Sequence, residues 1–159
     1  MCIRDIVSYW HGSVHDARIF DNCSLKFRFE ENEFDGRLLG DAGYPLKPYL
    51  MTPINVPATV PERRYNTAHK KTRITVERLF GIWKRRFPAL HYGLRFQPER
   101  ASVVIVAAAV LHNIARNCRE EEFMDDFGLE PEEDDFPVAH NAQAGPLAAR
   151  NSLIREYFS

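Results

Sequence analysis

Cysteine is scarce in this 159-residue chain and, where it occurs, scattered: Cys2, Cys23 and Cys118. An odd, dispersed set builds no disulfide framework, and none of the spacings matches a zinc ligand set. Such thiols predict a reduced, intracellular setting. Long apolar runs are also lacking. The longest, residues 103–111, falls far short of a membrane span. No apolar segment follows the charged Arg4 and Asp5 to make a signal peptide. No membrane partner is therefore expected. Internal repeats are absent, and net charge nearly so, at −1.

That small total conceals strong segregation. Residues 62–86 carry nine Lys/Arg and two Glu, a local balance of +7, whereas residues 120–135 carry ten Asp/Glu and no Lys/Arg. Opposite blocks of this size suit a polyanion-binding core with an acidic tail, or two solvated faces that neutralise each other. Hydrophobic residues make up 45% and aromatics 12%. That is a globular composition, long enough for one domain with a sizeable core.

Along the chain, residues 2–10 are rich in β-branched and aromatic side chains and predict a strand. Ser13 and Asp16 have the spacing of a capping box and predict a helix over 14–24. Residues 25–36 read as a charged connection. Arg37-Leu38-Leu39-Gly40 predicts a short strand that stops at Asp41, and residues 49–54 predict another. Two prolines mark 55–61 as a loop.

A long helix is expected over 62–87, halted by Pro88. At about 100° per residue, Val76, Phe80, Trp83 and Phe87 share a core-facing stripe. Glu77 lies beside it, on a face that also carries Lys70, Arg73 and Lys84. Residues 90–96 read as extended. Pro98 opens a helix whose stretch 101–115 is apolar nearly all round, hence buried. His112 and Asn113 read as a hydrogen-bonded core pair. The acidic block reads as loose, and 147–158 as a short amphipathic helix.

Three carboxylates stand out. Asp41 ends a strand, where open α/β sheets place their chemistry, although Asp before Ala-Gly-Tyr-Pro is also ordinary turn chemistry. Glu77 lies 36 positions later, either as a functional group on a basic helix or as a surface partner of Arg73. Asp16 sits in a first helical turn, which the helix dipole alone would explain. Phosphoryl transfer on a nucleic acid needs convergent carboxylates for two hard divalent cations, roughly 3.5–4 Å apart, and a cationic rim for phosphates. Lys70, Arg73, Arg78 and Lys84 supply such a rim.

At these residues the chain resembles the nuclease domain of PIF/Harbinger transposases and the Harbinger-derived nucleases domesticated from them. The matching stretches are Gly12-Ser13-Val14-His15-Asp16-Ala17-Arg18, Gly40-Asp41-Ala42-Gly43-Tyr44-Pro45, Arg73-Ile74-Thr75-Val76-Glu77-Arg78-Leu79-Phe80-Gly81, Lys84-Arg85-Arg86-Phe87 and Leu111-His112-Asn113.

The resemblance implies an α/β, RNase H-like mixed sheet flanked by helices, with the first strands missing. It implies a partial DDE nuclease domain over 1–119 and an acidic, loose tail over 120–159. Asp41 and Glu77 would be catalytic, and Asp16, Asp41 and Glu77 would hold Mg²⁺ or Mn²⁺. The family's first catalytic Asp belongs on an earlier strand, and Asp5 matches no motif for it. The implied activity is metal-dependent hydrolysis of DNA, with a Myb-like DNA-binding protein as partner and the nucleus, with the cytoplasm beside it, as location. The alternative is a catalytically inactive remnant that binds DNA or that partner. A nuclease acting on RNA is a weaker reading, since no stacking platform is evident.

Overall fold

The computed structural model describes residues 1–10, 14–118 and 144–159. It is an α/β protein rich in helix. In chain order the elements are α1 (Asp16–Asp21), α2 (Ser24–Glu30), β1 (Leu38–Leu39), β2 (Leu50–Met51), α3 (Val60–Arg86), α4 (Pro88–Tyr92), α5 (Pro98–Asn117) and α6 (Ala144–Tyr157). They fall into two compact units. One comprises Met1–Val14 and Thr75–Pro131, the other His15–Ile74 and Glu132–Ser159. No helix among the described residues is long and apolar enough to cross a membrane.

The unit beginning at His15 is built around β2. Leu50 and Met51 are both buried, Met51 completely. Burying side chains of this size contributes about 1.5–3 kcal/mol each. β1 pairs with β2 in parallel, Leu38 opposite Leu50 and Leu39 opposite Met51. Among the described residues this is the whole ladder, not the larger mixed sheet expected.

The helix expected over 14–24 is the shorter α1, and a second helix follows it. Asn22 ends α1 by donating its side-chain amide to the Arg18 carbonyl at 2.8 Å. Buried Cys23 then starts α2, which occupies ground expected to be a connection. Phe29 on α2 stacks on Tyr49 and Phe34, so packing overrides the charged look of this stretch. The Ser13 cap and the acidic block lie outside the described residues.

α3 starts two residues earlier than expected because Thr59 and Glu62 form a capping box. The Glu62 carboxylate accepts from the Ala58 and Thr59 amides, and the Thr59 hydroxyl accepts from the Glu62 amide. Those bonds also hold the Glu62 carboxyl below the usual carboxylate range. The final helix, α6, buries Pro146 and Ile154. It adds Phe158 edge-on to Tyr65, and Arg150 donates to the Thr52 and Pro53 carbonyls.

In the other unit, Trp83 packs with Ala108 and Ala109, and half-buried Ile3, Ile6, Phe87, Leu90 and Ile105 surround them. The buried stripe of α3 here runs through Leu79 and Trp83, while Val76 and Phe80 are exposed. α5 was expected to be buried on every side. It buries Ala108, Ala109 and His112 and leaves Val103, Val110, Leu111 and Ile114 exposed. Residues 90–92, expected to be extended, belong to α4, which follows Pro88 at its first position.

Residues 1–9 form no strand. Their partner is a side chain. The Ile3 amide donates to Asn113 Oδ1, and Asn113 Nδ2 donates to the Ile3 carbonyl, both at 2.8 Å. One carboxamide thus gives Ile3 what a neighbouring strand would give. The Ser8 and Ser102 hydroxyls bond at 2.8 Å, and His112 Nε2 lies 3.2 Å from the Met1 carbonyl oxygen. His112 and Asn113 are the hydrogen-bonded core pair expected.

Candidate functional site

The site begins where β1 ends. Gly40 is buried and bare because Tyr44 folds back on it. A Cβ there would lie 3.1 Å from three Tyr44 carbons. Asp41 Oδ1 accepts the Gly43 amide at 2.9 Å, and the Asp41 carbonyl oxygen accepts the Tyr44 amide at 3.3 Å. This is the side-chain-stabilised turn typical of Asp followed two residues on by Gly. The turn aims one carboxylate oxygen inward and leaves Oδ2 towards Arg73, 3.8 Å from its guanidinium. That distance is an ion pair in partial solvent, not a tight bidentate bond, and such pairs contribute about 0–1 kcal/mol.

Asp16, the first residue of α1, acts on the same corner through its charge, which the Tyr44 phenol feels. Burial, then the charges of Asp16 and Asp41, push its pKa up to about 12, and Arg73 opposes them. The Tyr44 phenol thus lies in the field of both acidic charges and of the arginine. Phe20 packs edge-on against the Tyr44 ring and fixes it. Within this unit no group of three His, Cys, Asp or Glu among the described residues is close enough to hold a metal ion.

The first half of α3 locks this corner through polar side chains. The Tyr65 hydroxyl donates to the Thr52 carbonyl at 2.9 Å. Asn66 bonds both the amide and the carbonyl of Ile54, at 2.9 and 2.8 Å. His69 Nε2 meets the Met51 carbonyl oxygen at 3.2 Å. Residues 65, 69 and 73 recur every four positions, one side of a helix. That row ends in Arg73, beside Asp41.

Sequence reasoning marked Asp41 and Arg73, which the structure sets 3.8 Å apart, and Asp16, which opens α1 in the same unit. It passed over Tyr44 as a turn residue and His69 entirely. The four-residue spacing of Tyr65, His69 and Arg73 was the available signal for the second. Lys70 is exposed on the same half of α3. Glu77, Arg78 and Lys84 lie on the later half, in the other unit, and all three are exposed.

Residues 1–113 match the family model of the DDE superfamily endonuclease. The chain is 39% identical over 117 residues to the human protein named “Putative nuclease HARBI1”, covering 71% of this chain and 34% of that protein. It is 33% identical over 155 residues to the Xenopus laevis protein of that name, covering 93% and 44%. It is 25% identical over 154 residues to “Protein ALP1-like” of Arabidopsis thaliana, covering 84% and 37%. The chain thus spans about a third of the length of its mammalian relatives. No solved structure matches it.

Proposed function

Since this chain belongs to the DDE superfamily endonucleases, among the nucleases derived from Harbinger transposases, we propose that it forms part of an RNase H-like nuclease that hydrolyses DNA phosphodiester bonds with a divalent cation. The observation that carries this reading is the Asp41 carboxylate at the end of β1, held by its turn through the Gly43 amide with Arg73 3.8 Å from Oδ2. The donor chemistry suits a hard ion: all the candidate ligands are carboxylate oxygens. Asp41 Oδ1 is tied to the Gly43 amide, and 3.8 Å separates Oδ2 from Arg73. Oδ2 is the carboxylate oxygen that the turn does not use.

In this reading Asp16, Asp41 and Glu77 hold Mg²⁺ or Mn²⁺. When bound, the ion supplies charge stabilisation at the phosphate and activates water. The chain's own residues do the rest. The turn at Asp41 holds the carboxylate in one orientation. Arg73 and Lys70 hold the phosphate at the site, and Arg78 and Lys84 hold phosphates further along the strand. DNA is the partner, a Myb-like protein supplies sequence recognition, and the nucleus and cytoplasm are the compartments.

Plasmid cleavage in Mn²⁺ or Mg²⁺ tests the nuclease. Asp41→Asn and Glu77→Gln should each reduce cleavage by at least the ten- to hundredfold typical of a lost outer-shell partner, with circular dichroism unchanged. Unchanged cleavage by Glu77→Gln would remove it from the mechanism. That no three His, Cys, Asp or Glu among the described residues group closely enough to hold a metal ion favours one second reading: a module that binds DNA or the Myb-like protein without cutting. Salt-sensitive binding with no metal-dependent cleavage would establish that reading instead.

A further inference from the structure

The Met51 carbonyl oxygen is a shared acceptor. The Gly40 amide donates to it at 2.9 Å, and His69 Nε2 lies 3.2 Å from it. A carbonyl oxygen has two lone pairs, and here both are used. Gly40 is the residue immediately before Asp41. Met51 is completely buried and His69 nearly so. The tie between imidazole, Met51 and Gly40 is therefore closed to water, and burial holds the imidazole below its usual pKa, as the neutral form.

β1 is only two residues long. Besides the ladder pairing itself, backbone bonds at its two ends fasten it to the β2 segment: the Leu38 amide to the Tyr49 carbonyl at 2.7 Å, and the Gly40 amide to the Met51 carbonyl. So short a ladder fixes the direction of the following residue weakly. The tie at Met51 supplies what the ladder lacks. Tyr65 holds the ring from one side, at 5.9 Å between centroids, and Arg73 lies one helical turn further on.

We propose that His69 is the positioning residue for Asp41: by sharing the Met51 carbonyl with Gly40, its imidazole sets the end of β1 and so the direction of the Asp41 carboxylate. His69 touches no substrate and holds no metal. It acts through Gly40. The proposal rests on the reading of Asp41 as a metal ligand, and its test has one arm that needs no metal.

The full chain is labelled with ¹⁵N, and the Gly43 amide resonance reports the bond to Asp41 Oδ1. His69→Gln keeps a side-chain N–H donor of similar reach, and His69→Met keeps the volume without it. In His69→Gln the Gly43 resonance should stay in place and Mn²⁺ affinity should match the parent. In His69→Met the Gly43 resonance should move towards its position in Asp41→Asn, and Mn²⁺ binding, followed by electron paramagnetic resonance, should weaken about tenfold.

A purely structural role would lower the melting temperature of His69→Met while leaving the Gly43 resonance in place, and that result overturns the proposal. Unfolding of both variants also overturns it, since it assigns His69 to the core alone. If the parent chain binds no Mn²⁺, the nuclease reading fails, and the Gly43 resonance still decides the role of His69.

Discussion

Asp41 shows how little of a site resides in the charged group itself. Its orientation depends on two glycines that carry no chemistry. Gly43 donates to the carboxylate, and Gly40 gives Tyr44 room to lie against the backbone. Replacing Gly40 with Ala puts a methyl 3.1 Å from Tyr44 Cβ, Cγ and Cδ2. Overpacking of that kind costs about 1–3 kcal/mol, so Gly40→Ala should unfold at lower urea concentration with an unchanged slope. A second outcome concerns alkali. Tyr44 and Tyr65 both have pKa values pushed up from 10.0 to about 12, chiefly by burial. Their raised folded-state values add stability that is fully present below the unfolded value of 10.0 and is lost as pH rises through about 12. Urea midpoints should fall over that window, and phenolate absorbance at 295 nm should show Tyr44 and Tyr65 titrating late, together with Tyr49, whose phenol burial also pushes up. Asp16→Asn should bring one of them down towards 10.0.

Among the elements, α3 was the most legible, because a long basic run ahead of a proline leaves few alternatives. Its start was misplaced by two residues, since the Thr59–Glu62 capping box was not read. Its buried stripe was drawn through Val76, Phe80, Trp83 and Phe87; Trp83 is buried and Phe87 half-buried, but Leu79 is buried where Val76 and Phe80 are exposed. Hydrophobic periodicity finds a face to within about half a turn, and packing chooses within it. α2 was missed because charged residues interrupt its aromatic positions. Asp16, Asp41 and Arg73 were legible from residue type and order. The tie at His69 was not, because it joins a side chain to a backbone oxygen, which no sequence pattern encodes. Residues 1–9 hold a similar lesson: their composition announced a strand, and the partner turned out to be Asn113. Asn113→Ala leaves both polar groups of Ile3 without that partner. It should cost about 1–3 kcal/mol and strip protection from the Ile3 amide in hydrogen exchange, with the amides of β2 little changed.

Across the whole molecule, charge matters more for binding than for folding. Lys70, Arg73, Arg78 and Lys84 all lie on α3, in a stretch whose balance is +7. If all four meet phosphates, the logarithm of DNA affinity should fall with the logarithm of salt at a slope of about −0.9 per contact. Lys84→Gln should make that slope shallower by about one contact and weaken every sequence alike, as fluorescence anisotropy across a salt series would show. The carboxamide of Asn113 has a consequence at this scale too. An extended segment rich in Ile, Val, Tyr and Trp, with open amides, is a template on which other chains can add strands. By occupying both polar groups of Ile3, Asn113 blunts that template at its most apolar end. The side chain that stands in for a strand thus also closes that position to an incoming one.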